Sequence, residues 1–255
     1  MRGNGGRERP EVVVITGASA GVGRATVREF AKRGASIGLL ARGREGLEAA
    51  RREVEELGGR AVVLPTDVAD AAHVEAAAAR VEEEFGPIDI WINNAGADIL
   101  TGADRQRPFE QKLSELWLVD VRATMLLSRA VGRRLRERGR GVILNMGWDQ
   151  AETGMEGDSG ELFAATKGAV MAFSRSLALS LAPEVRVNCL APGWIRTAWG
   201  EHAPAAWQER VLRETPLGRW GMPEDVARAA LWLASPPAAY ISGQIVRING
   251  GAVRG

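Results

Sequence analysis

Residues 16–23 read Thr16-Gly17-Ala18-Ser19-Ala20-Gly21-Val22-Gly23 and follow the apolar run 12–15 directly. Three glycines at this spacing suit one chemical task. Gly17 allows a tight turn, Gly21 lets the backbone approach a pyrophosphate, and Gly23 lets the next helix pack on the strand. The helix N-terminus then turns its partial positive charge on the phosphates. A plain tight turn would also use glycine, but a strand before and a helix after are the context that dinucleotide binding requires. About twenty residues on, an NAD-selective site places a carboxylate for the ribose hydroxyls. This chain has Ala41 and then Arg42, with Arg44 close behind. Arg42 offers charge for a 2′-phosphate, which favours NADP(H) over NAD(H). The plainer alternative is a solvated loop arginine.

A second concentration of chemistry lies at 148–161. Asp149, Gln150, Glu152, Glu156, Asp158 and Glu161 crowd beside Trp148. A carboxyl held against an apolar indole has a raised pKa and can act as an acid. Solvated loop carboxylates would give the same sequence. The chain has eight tryptophans. Trp148, Trp194 and Trp199 fall in loops, where they suit a flat wall for a planar or apolar small-molecule substrate, or else packing. Trp91, Trp117 and Trp232 fall on regular elements and read as packing. With His73 and His202 far apart, His202 reading as a surface residue, and Cys189 the single cysteine, no metal-ligand spacing exists and no metal is expected.

The elements that must position these residues follow from periodicity. Short β-branched apolar runs at 12–16, 36–41, 61–65, 88–93, 142–146, 185–190 and 244–248 read as buried parallel strands. Helical patterns occupy roughly 21–33, 44–57, 70–85, 110–138, 161–181 and 223–234. The alternation predicts an α/β fold: a doubly wound Rossmann-type parallel sheet of about seven strands with helices on both faces. No linker divides it, so 11–255 is expected to be one dinucleotide-binding domain behind a disordered tail, 1–10. Ligands of such sheets sit beyond the carboxyl ends of the strands. The loops 94–109, 147–160 and 191–222 are therefore the expected substrate loops. A formal charge of +1 argues against nucleic-acid or membrane partners. The arginine run 129–140 reads as a cationic helix end that complements the macrodipole. One cysteine and no long apolar span fit a cytoplasmic protein.

Several motifs stand in an order that resembles the short-chain dehydrogenase/reductase family over about 10–251. These are the turn 16–23, Thr66-Asp67-Val68 at an adenine-contacting turn, Asn93-Asn94-Ala95-Gly96, Asn188, Pro192-Gly193-Trp194-Ile195-Arg196-Thr197 over the nicotinamide, Ile241-Ser242-Gly243-Gln244 and Asn249-Gly250-Gly251. The resemblance implies hydride transfer, with Gly17, Ser19, Gly21, Val22, Gly23, Arg42, Asp67, Val68, Asn94, Ala95, Gly96, Pro192, Gly193, Ile195 and Thr197 binding the cofactor. It also implies a homo-oligomer, dimer or tetramer. The family's Tyr-x-x-x-Lys pair would supply an acid/base and a ribose-binding lysine, helped by a serine after the fifth strand and an asparagine on the fourth helix.

Here the chain departs from the pattern. Lys167 matches the lysine, but Phe163 stands at the tyrosine and cannot do acid/base work. The one tyrosine, Tyr240, is far away in sequence. Gly147-Trp148-Asp149-Gln150 occupies the serine region, and Asp120 aligns with the asparagine. Lys167 is one of three lysines against thirty arginines, which suggests that its compact ammonium is needed. Three readings stay open. Another group donates the proton, Asp149 first; or the substrate needs no enzymatic acid; or the chain is a catalytically silent NADP(H)-binding sensor or scaffold. Trp148, Gln150, Trp194 and Trp199 are the expected substrate contacts.

Overall fold

The computed structural model describes residues 9–100 and 104–252, with 102 and 103 as backbone only. The expected tail 1–10 lies outside the described residues except for Arg9 and Pro10. Arg9 is not frayed, because its guanidinium pairs with Asp89 at 3.0 Å.

Seven parallel strands form one sheet in the order β3-β2-β1-β4-β5-β6-β7. They are β1 (Val12–Thr16), β2 (Ser36–Ala41), β3 (Arg60–Pro65), β4 (Ile90–Asn93), β5 (Gly141–Met146), β6 (Val185–Pro192) and β7 (Ile245–Ile248). The connecting helices are α1 (Gly21–Ala31), α2 (Arg44–Glu56), α3 (Ala71–Phe85), α4 (Phe109–Leu116), α5 (Thr124–Glu137), α6 (Asp158–Leu181), α7 (Ala198–Glu201), α8 (Ala205–Glu214) and α9 (Pro223–Ala234).

The strands are apolar at nearly every position because both faces are covered. Val13, Ile15, Ile37, Leu39 and Ile92 meet Phe30 of α1, Leu47 of α2 and Leu233 of α9. Their neighbours Val12, Val14, Leu40, Trp91 and Ile143 meet Val81 of α3, Val131 of α5 and Leu177 of α6. The period of two thus splits one sequence run between two cores. The strand order reverses between β1 and β4, which opens a crevice at the carboxyl ends, where such folds bind ligands.

A buried polar chain ties the floor of that crevice together. Asn93 on β4 donates both amide hydrogens, to Ser128 Oγ on α5 and to Asn145 Oδ1 on β5, at 2.8 Å each. Asn145 in turn donates to Ser174 Oγ on α6 at 2.9 Å. With Trp91 Nε1 donating to Asn93 Oδ1 at 2.8 Å, the donors and acceptors are matched, as a dry interior demands. Two strands and two helices are fixed relative to one another just below the site.

Two departures from the periodicity matter for function. The single helix expected over 110–138 is broken, because Trp117–Ala123 widens into a π-helical turn between α4 and α5. Such turns recur at functional positions, and this one turns Asp120 into the interior. The loop 191–222 also holds two helices, α7 and α8. Trp117 and Trp232, expected to pack, are half exposed at 51% and 47%, since among the described residues nothing covers the outer faces of their helices. The arginines at the end of α5 find tertiary partners. Arg134 pairs with Glu75 and Glu82, and Arg138 and Arg140 approach Asp89.

Candidate active site

The glycine turn is built as its spacing requires. Gly17 and Gly21 take φ of +67° and +52°, where a side chain would be strained. A Cβ at Gly23 would lie 2.1 Å from Gly17 O, so the helix can seat on the turn only with glycine there. Asn94 closes the turn from the far side, donating to Thr16 O at 3.1 Å. Thr16 Oγ1 accepts the amides of Asn94 and Ala95 at 3.0 Å each. Helix α1 begins at Ala20 with no side-chain cap and no acidic residue in its first turn. Its leading N–H groups are left for an outside anion, which fits a pyrophosphate. Ser19 abuts Gly46, and Thr197, from the loop after β6, reaches over Gly21.

A cleft of about 670 Å³ continues along the β2 side, bounded by Arg42, Asp67 and Ala69 and by residues 107–119 opposite. Arg42 is exposed, and among the described residues it has no carboxylate partner. Arg44 spends its charge on Glu48 at 3.6 Å. Asp67 caps its own turn, accepting from Ala69 N at 3.0 Å, while Val68 is buried beneath.

Deeper in the crevice, Lys167 on α6 donates to Asp120 Oδ2 at 2.7 Å, with the two side chains 12% and 1% exposed. The other oxygen of Asp120 accepts the Ala97 amide at 2.8 Å. Gly96 lies against the same carboxylate, where a Cβ would sit 3.0 Å from Oδ2. The π turn, the segment 94–97 and α6 thus meet at one charged pair.

Phe163, one turn before Lys167, lies edge-on to Trp148, with ring centroids 6.1 Å apart at 61°. Such a contact contributes about 0.5–1.5 kcal/mol beyond area burial. Phe163 and Trp148 thus form an aromatic corner. Both rings line a cavity of about 970 Å³ that also touches Lys167, Val22, Pro192, Gly193, Ile195 and Thr197. The opposite side carries Trp194, Trp199 and Trp207. Trp194 stacks on Trp199 at 6.2 Å and meets Trp207 at 5.4 Å, with Trp220 buried behind them. Glu214 accepts from Trp194 Nε1 at 3.3 Å.

Asp149 and Gln150 do not line this cavity. Asp149 is 4% exposed and turned behind the wall, where Asn249 donates to its Oδ2 at 3.1 Å. Among the described residues its Oδ1 has no hydrogen-bond partner. Burial pushes its pKa up to about 6, against the pull of Asn249, of nearby backbone amides and of Arg247. Gly193 is wedged beside it, since a Cβ there would come 2.6 Å from Asn249 Cβ and 3.0 Å from Asp149 Oδ2. Asp149, the expected proton donor, thus lies outside the cavity lining. Of the other acids, Glu152 pairs with Arg175 and Arg247, and Glu156 with Arg210, at the surface.

Lys112, Arg105 and Trp207 are not among the site residues expected from the sequence, whereas His202, expected at the surface, is exposed there. All four line the cavity. His202 is exposed, but Nδ1 lies 2.9 Å from Ala198 O, which leaves Nε2 for the cavity rim. Trp207 was hidden inside an undivided loop. The rarity of lysine was the available signal for Lys112.

Sheet order, glycine turn and crevice together define a dinucleotide-binding α/β protein. A family model described as Enoyl-(Acyl carrier protein) reductase matches residues 17–253. The 3alpha-hydroxysteroid dehydrogenase of Mediterraneibacter gnavus is 36% identical over 246 residues, covering 95% of this chain and 96% of that protein. The 3-oxoacyl-[acyl-carrier-protein] reductase FabG of Thermotoga maritima is 33% identical, covering 95% of this chain and 98% of that protein. A solved 7 alpha-hydroxysteroid dehydrogenase complexed with NADH and 7-oxo glycochenodeoxycholic acid superposes with a TM-score of 0.87 at 30% identity, covering 98% of this chain and 96% of that one. The chain belongs to the short-chain dehydrogenase/reductase family of oxidoreductases. Among the described residues no helix is long and apolar enough to cross a membrane.

Proposed function

We propose that this chain is an NADP(H)-dependent oxidoreductase acting on a small molecule in the aromatic cavity, with a proton path that bypasses residue 163. The observation that carries this reading is the Lys167–Asp120 pair on the cavity wall, 2.7 Å across, at the inner end of the glycine-lined crevice. The turn 17–23 would hold the pyrophosphate, Arg42 the 2′-phosphate, and Asp67 and Val68 the adenine side. Asn94, Ala95 and Gly96, with Pro192, Gly193, Ile195 and Thr197, would enclose the nicotinamide half. When bound, the cofactor supplies or accepts a hydride.

The chain's own residues do the rest. Lys167 commits one N–H to Asp120 and keeps two, for ribose hydroxyls and for a substrate oxygen on which negative charge grows. Asp120, fixed by the Ala97 amide, holds that ammonium in place and aims it. Phe163 holds no transferable proton, and Asp149 is behind the wall, so the proton reaches the substrate oxygen from water beside Lys167. This arrangement suits an activated carbonyl, which needs charge stabilisation more than a strong acid. Asp149 acts as a positioning residue, holding Asn249 and the wall at Gly193. Trp148, Trp194 and Trp199 grip the substrate, whereas Gln150 has no contact with it.

The relatives' printed activities, on hydroxysteroids and on 3-oxoacyl groups, support a carbonyl or alcohol substrate. Exposed Trp117, Leu118, Leu126 and Leu179 support assembly into a homo-oligomer, dimer or tetramer. Calorimetric titration tests the cofactor reading. Tight NADPH binding with weak NADH binding is expected, and absence of binding by both would overturn it.

A further inference from the structure

Among the described residues, no carboxylate lines the cavity. Its charged lining groups are Arg105, Lys112 and Lys167, with His202 at the rim. Lys167 is balanced by Asp120. Lys112 is not balanced. It is 8% exposed, and its Nζ donates to one acceptor, Arg105 O, at 2.7 Å. Among the described residues it makes no ion pair, and neither does Arg105. An ammonium carries three donors, and burying one with a single neutral partner is unfavourable unless a ligand supplies the counter-charge. The chain otherwise uses arginine, thirty to three. Of its three lysines, Lys32 is a surface residue paired with Glu29, and the other two line this one cavity.

We propose that Lys112, with Arg105 beside it, is an anion-recognition subsite, and that the substrate joins a flat apolar body to a carboxylate. The body lies between Trp148 and Phe163 on one side and the tryptophans of 194–207 on the other. The carboxylate meets Lys112 on the α4 side and leaves Lys167 free for the reacting oxygen. This deepens the proposed function, since it rests on the aromatic cavity being the substrate site.

The test is binding, read by quenching of tryptophan fluorescence in the NADPH-saturated protein. The probes are naphthalene-2-acetate and its neutral isostere naphthalene-2-acetamide. Wild type should bind the acid about tenfold tighter than the amide. Lys112→Met should cut that ratio by about threefold or more, Arg105 keeping any remainder, while leaving amide and NADPH affinity within about twofold. Lys112→Arg should keep part of the preference. Equal binding of the two probes by wild type, binding of neither, or an unchanged ratio in Lys112→Met would overturn the proposal. So would a several-fold loss of NADPH affinity in Lys112→Met, which would assign the ammonium to a cofactor phosphate. Failure of wild type to bind NADPH at all would count against the proposed function instead.

Discussion

Lys167 and Asp120 form a nearly solvent-free ion pair that joins α6 to the π turn and, through the Ala97 amide, to the segment after β4. Removing one partner of a buried pair strands the other. Asp120→Ala should therefore lower the unfolding free energy by about 3–5 kcal/mol in urea denaturation. The double variant Asp120→Ala/Lys167→Met should lose less than the sum of the two single losses, because the stranded charge is gone. Additive losses would mean that the two residues act separately.

Asp149 gives a pH dependence with a definite sign. Its pKa is raised by burial to about 6, so the folded state holds its proton where the unfolded chain has lost it. Stability is then greatest below the unfolded pKa, about 4, and falls as pH rises to about 6. Asp149→Asn keeps an acceptor for Asn249 and removes the charge. Its stability relative to wild type should rise across that window and, above it, be on the order of 2–3 kcal/mol higher at most. Thermal melts of both proteins between pH 4 and pH 8 would show this, and parallel curves would refute it.

Much of the fold is legible in the sequence, since β1, β2 and α9 run as their apolar patterns indicate. The π turn is not, because an apolar stripe at helical spacing does not register one extra residue per turn. The helices of 191–222 are masked by Gly200 and Pro204, which punctuate the stretch as a loop would. The glycine turn could be read residue by residue, because its constraint is local. The orientation of Asp149 could not, because it is decided by Asn249, one hundred residues away and brought alongside by β7.

Phe163→Tyr distinguishes an enzyme with its own proton route from a silenced relative. Lys167 lies one turn away on the same cavity, so an added phenol would raise turnover only if the wild type lacked a proton route of its own. Turnover of NADPH with an activated aromatic ketone should stay within about twofold of wild type. A gain of about a hundredfold would show that the wild type is a binding protein lacking its acid.

Arg42 should set the choice of nucleotide. Arg42→Ala should weaken NADPH about tenfold and leave NADH within about twofold, and raising the salt concentration should narrow the difference in wild type. Equal losses for both nucleotides would make Arg42 a general contact rather than a 2′-phosphate reader.

The proposed hydride transfer takes place at a site organised by Lys167. The most direct measurement uses NADPH carrying deuterium at the transferable nicotinamide position, with an activated aromatic keto acid as acceptor, in wild type and Lys167→Met. Deuterium should appear at the carbinol carbon of the product with wild type. The rate should fall by about a hundredfold or more in the variant, the scale of losing an oxyanion donor. Product without the label, or a Lys167→Met variant as fast as wild type, would contradict the account.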